Sequence, residues 1–477
     1  MEQKNFKVGI FILFLFGILL VSCTTTKPYK VTTEIKTTEF ETSQGLKKFS
    51  SVQEIRNFLK NAALNQGGTG AYDNLGSVRA LSAVAESAVG APSFAKSADS
   101  GASATDYSQT NIQVAGVDEA DFVKNDDKYI YVISQNNLVI LDAFPAENSK
   151  IISETEIDGI PRNMFVNKDR LVVFAEGNNE VPVFAQYDFV PRPRYTSQTH
   201  VFVYDISNKA KPKLVNDYNI NGYYTESRMI DDYVYFIVRD DVYYYNDIID
   251  LPVVREASTA IAKPEIYYFD NPEYYYNFQT VASFNVFEDK GKVNAKTFMM
   301  GNSDTIYVSK NSIYIAYRKN LPYRYYEVNN EERFFSVVVP LLPSEFQQEV
   351  KGIKEGSSLN SYEKWEKISE VLEEMYNKLD EDEKDELIEK IENAIEEHEA
   401  KLQAERSKTV IHKIKIDKGE IEYETRGEVP GYLLNQFSMD EHDNYFRVAT
   451  TTEIWTRKSV MYNNVYVLDD NLKIVGK

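Results

Sequence analysis

The chain has 477 residues, and its 53 Lys and Arg against 73 Asp and Glu give a formal net charge of −20. This acidic balance argues against nucleic-acid binding, which needs a basic surface. A hydrophobic content of 43% excludes wholesale disorder. One Cys and four His argue against a disulfide framework, a Cys-rich zinc site and an iron–sulfur cluster, so we expect no cofactor.

Residues 1–23 are predicted to be a lipoprotein signal peptide. A positively charged start precedes an uncharged apolar run over residues 8–20, which is short for a membrane-spanning helix. The run ends in Leu-Val-Ser-Cys at residues 20–23, which resembles a prokaryotic lipobox. The pattern predicts diacylglycerol attachment at Cys23 and an extracytoplasmic protein anchored to the cell membrane. The alternative is an uncleaved signal anchor with an incidental cysteine.

Three further segments precede the main domain. Residues 24–45 are rich in Thr and Lys and are typical of a tether. Residues 46–65 carry apolar side chains at three- and four-residue steps, and Ser51 with Glu54 fits a capping box, so a short helix is predicted. Residues 66–110 are rich in Gly, Ala and Ser and predict a flexible linker.

From residue 111 to residue 477 the chain repeats a two-part pattern. The first part reads as a hairpin with an Asp or Asn turn, at residues 122–133, 164–174, 229–238, 299–308 and 437–449. The second part reads as a single strand, at residues 138–142, 201–205, 281–287, 410–417 and 465–469. The repeat predicts a mainly β protein, a β-propeller of four-stranded blades with about five units present. A β-sandwich is the alternative, but it does not explain the paired pattern.

A helical hairpin is predicted inside the β domain, over residues 355–406. This segment holds 18 acidic and 7 basic residues, a net charge of −11. Its apolar residues recur at helical spacing, and capping boxes fit at Asn360 and Asp380. The apolar stripe packs either within the hairpin and on the propeller, or against a partner protein, and the sequence leaves both open.

Three phrases, at residues 110–124, 429–440 and 464–477, resemble the secreted prokaryotic β-propeller-domain proteins that are distantly related to WD40 repeats. The likeness runs from about residue 46 to the end. It implies a propeller on the cell exterior and no established activity. Members of the family continue beyond the last phrase, so we expect this chain to stop inside its fifth unit. Unpaired strand edges are then expected near residues 123–133 and 465–468.

Two polar clusters are weak candidates for metal sites. Asp118, Glu119 and Asp121 offer the oxygen ligands that suit Ca²⁺, although no calcium-binding loop follows them. Asp440 and His442 lie on a predicted hairpin turn and could bind a transition metal. The structural alternatives are strand capping for the first cluster and an exposed polar turn for the second.

The loop containing Tyr267, Tyr274, Tyr275 and Tyr276 could stack on sugar rings, or its rings could pack structurally. No catalytic residue can be nominated, because the four His are dispersed and no nucleophile motif is present. The leading hypothesis is a binding or protein-interaction module at the cell envelope, with a protein or glycan partner. The alternatives are a propeller-type enzyme, either a hydrolase or a quinone-type dehydrogenase, and a structural envelope protein.

Overall fold

The computed structural model describes residues 45–65, 112–183, 192–242, 244–245, 248–269, 273, 275–289, 292–303, 305–319, 330–357, 359–455 and 459–477. The predicted signal peptide with Cys23, nearly all of the tether and the whole of the predicted linker lie outside these residues.

Strand β1 (Lys47–Lys48) and helix α1 (Val52–Asn65) form the N-terminal part. Ser51 Oγ accepts a hydrogen bond from the backbone N–H of Glu54 at 3.2 Å and caps the helix, but the Glu54 carboxylate accepts from Ser50 N at 2.8 Å, so only one half of the predicted capping box is formed. The predicted helix begins too early, because Lys47 and Lys48 are extended and pair with residues 267 and 268. Strand β2 (Asp118–Glu119) follows before the first blade.

Five antiparallel four-stranded meanders, blades 1 to 5, make up the domain. The strands of blades 1 and 2 are β3 (Val123–Asn125), β4 (Tyr129–Ser134), β5 (Asn137–Asp142), β6 (Lys150–Glu156), β7 (Ile160–Asn167), β8 (Arg170–Val183), β9 (Arg192–Asp205) and β10 (Lys213–Asn221). Blade 3 and its insertion contain β11 (Tyr223–Ile230), β12 (Tyr233–Asp241), β13 (Tyr244–Tyr245), β14 (Ile248–Ile249), β15 (Val254–Glu256), β16 (Thr259–Ala262), β17 (Glu265–Tyr268), β18 (Asn277–Asn285) and β19 (Asn294–Met300). Blades 4 and 5 contain β20 (Thr305–Val308), β21 (Ser312–Arg318), β22 (Lys408–Asp417), β23 (Glu420–Pro430), β24 (Met439–His442), β25 (Tyr445–Trp455), β26 (Ser459–Leu468) and β27 (Ile474–Gly476).

The mainly β fold with five repeated units is confirmed, with two corrections. The hairpin predicted over residues 299–308 is wrong, because β19 ends blade 3 at Met300 and β20 starts blade 4 at Thr305. The polar segment between them joins two blades and has the composition of a hairpin turn. The fifth unit is also not interrupted, since β27 pairs with β26 and completes a four-stranded blade.

Alternating side chains on each strand pack one blade onto the next. On β8, Leu171 and Val173 join a buried cluster with blade 1, whereas Val172 and Phe174 join one with blade 3. Equivalent clusters connect blade 3 to blade 4 and blade 4 to blade 5. A fully buried large apolar side chain contributes about 1.5–3 kcal/mol, so these four interfaces hold the blades together.

The outer faces of blades 1 and 5 are exposed and carry apolar side chains. Val123 and Ile151 are 47% and 55% exposed on blade 1, and Val465 is 55% exposed on blade 5. None of the clusters found among the described residues combines blades 1 and 5. Neighbouring blades pack face to face. The surfaces left uncovered are therefore sheet faces of blades 1 and 5, and not the unpaired strand edges that the sequence predicted.

The helical insert lies between β21 and β22. It contains α2 (Asn330–Arg333), α3 (Ser344–Glu355), α4 (Ser361–Lys378) and α5 (Glu381–Arg406), with a π-helical turn at Phe334–Val338. Both predicted helices and both capping boxes are present. The insert begins before residue 355, since residues 334–353 pack with α4 and α5 in one apolar cluster that includes no blade residue. The chain leaves and re-enters blade 4 at adjacent positions, where Lys319 N donates to Lys408 O at 2.8 Å.

The segment from residue 112 to residue 121 crosses the inner strands of several blades. The Gln113 side chain donates to the carbonyls of Gln436 and Met439, each at 3.2 Å. Val117 is buried in the cluster between blades 3 and 4, and β2 pairs with β11. This segment therefore links the centre of the domain to blades 3, 4 and 5.

Candidate functional site

Long connections of two neighbouring blades emerge at one end of the domain. They join the second strand to the third in blades 3 and 4, at residues 242–276 and 319–407, and the paired strands β8 and β9 of blade 2 extend past β7 and β10 at the same end. In a meander this connection lies at the same end as the passage from one blade to the next. Hydrogen bonds from Gly222 N to Ser197 O at 2.7 Å and from Gly431 N to Ser407 O at 2.5 Å confirm this neighbourhood. We call this the insertion end.

A glycine precedes the first strand of blades 2 to 5 at this end. These glycines are Gly159, Gly222, Gly301 and Gly431. Gly222 has a φ of +114°, and a Cβ added there would lie 2.5 Å from Arg239 O on the second strand of blade 3. Only glycine fits such a position without strain. The glycine lets each passage between blades run close to the next sheet.

A buried polar cluster lies beneath the insertion end, between blades 3 and 4. Tyr317 on β21 donates to Glu273 Oε1 at 2.9 Å, and Glu273 is 4% exposed. His412 on β22 lies 3.1 Å from the hydroxyl of Tyr423 and 3.4 Å from that of Tyr317. Phe269 packs on the His412 ring with centroids 4.6 Å apart. The cluster joins the blade 3 insertion to the sheet of blade 4.

The cluster continues to the base of the helical insert through an ion-pair network. Arg426 donates to Glu428 Oε1 at 2.6 Å, and Lys319 donates to Glu428 Oε2 at 3.1 Å. Lys408, on the re-entering side of the insert, lies 3.8 Å from the same carboxylate. The two ends of the insert are therefore bound to one glutamate.

Burial sets the protonation states of this cluster. Burial raises the pKa of Glu273 to about 8, although Tyr317 and Arg426 act in the opposite direction. Burial, and to a smaller extent the positive charge of the nearby Arg426, holds the pKa of His412 well below its ordinary value. Burial would raise the pKa of Glu428, but Arg426 and Lys319 outweigh it and keep that pKa below its ordinary value. At neutral pH the cluster holds a protonated Glu273 and a neutral His412.

This arrangement is suited to positioning the insertions. Glu273 Oε2 and Arg426 Nε are buried without a hydrogen-bond partner, so the cluster is not fully satisfied internally. Its ionisable side chains come from blades 3 and 4 and are enclosed, rather than converging from several blades on an open channel. Perturbed pKa values occur in structural networks as well as in catalytic sites.

The structure places Asp118, Glu119 and Asp121 beside cations or backbone donors. Lys124 Nζ lies 2.8 Å from Asp118 Oδ1, and Arg228 lies 3.6 Å from Glu119. Asp121 accepts a hydrogen bond from the backbone of Phe122 at 2.7 Å. These contacts correspond to the capping alternative rather than to a calcium site.

Asp440 and His442 lie on the hairpin that opens blade 5. Asp440 pairs with Arg447, and the exposed His442 lies 3.3 Å from Asp443. Across the residues that the structure describes, no group of three or more His, Cys, Asp or Glu side chains could hold a metal ion. The structure therefore does not assemble either predicted metal cluster.

Of the predicted tyrosines, Tyr274 lies outside the described residues and the other three do not form a shared aromatic surface. The Tyr267 ring stacks on Phe298 with centroids 5.9 Å apart, and its hydroxyl donates to Glu265. Tyr276 is buried against Phe58 of helix α1, whereas Tyr275 is 41% exposed. These contacts favour structural packing over sugar stacking.

Sequence reasoning missed the repeated glycine and the buried cluster. The glycine had a detectable signal, because one precedes the first strand of four successive blades. The cluster had none, since Glu273, Tyr317 and His412 are separated along the chain and meet only through blade packing.

Comparisons with known proteins agree with this architecture. Residues 107–477 match the family described as β-propeller domain. The chain belongs to the β-propeller domain family. It is 29% identical over 380 residues to an uncharacterized protein of Methanocaldococcus jannaschii, covering 78% of this chain and 54% of the relative. It is 27% identical over 393 residues to an uncharacterized protein of Archaeoglobus fulgidus, covering 78% of this chain and 56% of that relative.

The chain thus spans about half the length of the curated relatives that it matches. No solved structure matches it. Within the described part, no helix is both long and apolar enough to cross a membrane. Membership of a propeller family suggests a binding or interaction module, since propellers present loops of several blades on one surface.

Proposed function

We propose that this protein is an extracytoplasmic, lipid-anchored β-propeller that binds a protein partner at the cell envelope through its insertion end. The observation that carries the proposal is the asymmetry of the domain. Blades 3 and 4 extend long connections at the insertion end, whereas short turns such as Lys168–Asp169, Asp231–Asp232 and Lys418–Gly419 join strands at the other end. Surface loops on a rigid scaffold are where proteins usually place binding residues.

Exposed apolar side chains add contact area at the insertion end. Leu434 and Phe437, in the passage from blade 4 to blade 5, are 83% and 71% exposed. Single exposed apolar residues are ordinary, but the passage that carries these two begins at Gly431, which donates to Ser407 O at the end of the helical insert. They supply the apolar anchors that protein interfaces use.

The negative charge of the helical insert favours one class of protein partner at the insertion end. Residues 355–406 carry a net charge of −11, which is more than half of the total of −20. Such a concentration favours a partner with a basic contact surface and speeds association at low salt. Binding is therefore expected to weaken as ionic strength rises.

The insertion end can be tested by site-specific photo-crosslinking of the full chain in its native cells. A photoreactive amino acid replaces Phe437 or the 78%-exposed Tyr362 of α4, and the matched control replaces Tyr445, which is 49% exposed next to a turn at the opposite end. We expect a discrete crosslinked product from Phe437 and Tyr362 and little from Tyr445. Equal products from all three positions, or none from the first two, would contradict the proposal.

A variant lacking the insert tests its contribution. Because Lys319 and Lys408 are adjacent, a short Gly/Ser loop can replace residues 320–406 without moving the strands. A cut at residue 355 is unsuitable, since it would uncover Phe346 and Val350 of the insert core. Retained β-type circular dichroism with loss of the Phe437 product is the expected result.

The anchor is tested separately. Cys23→Ala is expected to abolish incorporation of a clickable lipid precursor and to shift the protein from membrane to soluble or unprocessed fractions. Ser22→Ala is the matched control and should retain most of the label. Undiminished labelling of Cys23→Ala would rule out lipidation at this position, without bearing on the insertion end.

A further inference from the structure

The N-terminal segment, residues 45–65, occupies a groove on the outer edge of blade 3. The floor of this groove, which we call the aromatic groove, consists of side chains from the blade 3 insertion and its outer strands: Val242, Ile266, Tyr268, Tyr276, Phe278 and Met299. Phe49, Ile55 and Leu59 enter it and are 7%, 2% and 0% exposed. The cluster includes no residue of the other four blades.

Two kinds of contact hold the segment. Strand β1 adds to the sheet edge next to β17, and Phe49 N donates to Ile266 O at 3.0 Å. The ring of Phe49 stacks on that of Tyr268, with centroids 3.9 Å apart and planes 13° apart. Phe58 meets Tyr268 and Tyr276 edge to face at 5.1 and 5.3 Å.

This combination is a mode of peptide recognition. An extended segment adds a strand to an exposed edge, and the apolar face of a short helix then fills a hydrophobic groove. Aromatic pairs of this geometry contribute about 0.5–1.5 kcal/mol each beyond the area that they bury. The segment resembles a bound ligand more than a part of a blade.

Connectivity makes the bound segment exchangeable. The 46 residues from 66 to 111 separate it from the domain. The composition of residues 66–110 predicts a flexible linker, and a flexible chain of this length spans about 37 Å on average and gives an effective concentration on the order of millimolar. The same segment of a second copy competes with it when the local concentration of copies approaches that value.

We propose that the aromatic groove is a peptide-binding site that takes the N-terminal segment of a second copy of this chain, so that neighbouring copies exchange segments. Exchange of an identical element preserves every contact of the closed form, and its cost is small. In dilute solution each copy binds its own segment. Crowding of copies, which the proposed membrane anchor would provide, favours exchange. The groove itself does not depend on that anchor.

The binding step is tested with the full chain carrying a protease site between residues 90 and 91 and Ala in place of Cys23. After cleavage, a fluorescent peptide of residues 45–65 is added. We expect saturable binding and displacement of the cleaved segment. Phe49→Ala in the peptide should weaken binding at least tenfold, whereas Asn61→Ala, at an exposed position on the same helix, should leave it within twofold. Absence of binding would overturn the site.

The exchange step is tested with intact chains. One population carries a donor dye at Asn61→Cys and the other an acceptor at Tyr275→Cys, beside the groove, both in the Cys23→Ala background. We expect energy transfer between copies to be low at micromolar concentration and to rise towards millimolar. Phe49→Ala in the donor chain should abolish the rise. Peptide binding without any concentration-dependent transfer would overturn the second copy as occupant. Neither assay uses a membrane or the insertion end, so failure here is distinguishable from failure of the proposed function.

Discussion

Glu273→Gln is expected to stabilise the protein at pH 7 by about 3–4 kcal/mol. The buried carboxyl of Glu273 has a pKa of about 8 in the folded protein, whereas an unfolded glutamate titrates near its ordinary value of about 4.3. Each pKa unit corresponds to about 1.4 kcal/mol. Folding at pH 7 therefore requires uptake of a proton, and glutamine removes that cost. Gln also keeps an oxygen to accept the hydrogen bond from Tyr317.

The sign of the pH dependence follows from proton binding. Between about pH 4.3 and pH 8 the folded protein retains the Glu273 proton and the unfolded chain does not, so stability falls as pH rises through this window. His412 acts in the opposite sense, because burial keeps it neutral and stability is lost as pH falls below about 6.5. The Glu273 slope is therefore clearest between pH 6.5 and 8.

Urea unfolding midpoints across pH 6.5–8.5 measure the stabilisation by Glu273→Gln and the pH dependence that Glu273 causes. The wild-type midpoint should decrease with pH, and that of Glu273→Gln should be higher and flatter. Glu422→Gln, at an exposed position on β23, should follow the wild type. A Glu273→Gln variant that is less stable than wild type at pH 7 would mean that Glu273 is ionised and paired in the folded protein.

Gly222→Ala is expected to destabilise the domain by about 3 kcal/mol or more. The φ of +114° is strained for any residue with a Cβ, which costs about 1–3 kcal/mol. The new methyl group would also lie 2.5 Å from Arg239 O, so the passage between blades 2 and 3 must shift. Overpacking of this kind costs about 1–3 kcal/mol more.

Gly352→Ala provides the matched control for the substitution itself. Gly352 lies inside helix α3, and a Cβ there meets no atom within 4 Å. Alanine is favoured over glycine in a helix by about 1 kcal/mol, so this variant should be slightly more stable. Thermal and urea unfolding compare the two. Equal stability of Gly222→Ala and wild type would show that the passage between blades is readily rearranged.

The fold was predictable because its signals are local. Runs of aromatic and β-branched residues mark strands such as β4, and Asp or Asn turns mark their hairpins. The capping boxes at Asn360 and Asp380 identified α4 and α5 from a few residues each. The hairpin predicted over residues 299–308 is wrong because a polar turn between two blades has the same composition as a hairpin turn within one blade.

The candidate site was not predictable, because its contacts are long-range. Glu273 and Tyr317 are 44 positions apart, and Tyr317 and His412 are 95 apart. These side chains touch only if the right face of each strand packs against the neighbouring blade. A single sequence does not specify which faces pack together. The tyrosine loop was misleading for a related reason. Its rings contact Phe49 and Phe58, which lie more than 200 positions earlier in the chain.

The crossing of the domain centre by residues 112–121 has a consequence for the order of assembly during synthesis. Gln113 is made early, yet one of its partners, Met439, lies 326 positions later. Val117 likewise cannot be buried until blades 3 and 4 have been synthesised. Contacts so distant in sequence form late and slow folding. The centre therefore closes only after blade 5 begins to emerge, and earlier blades must stay soluble until then.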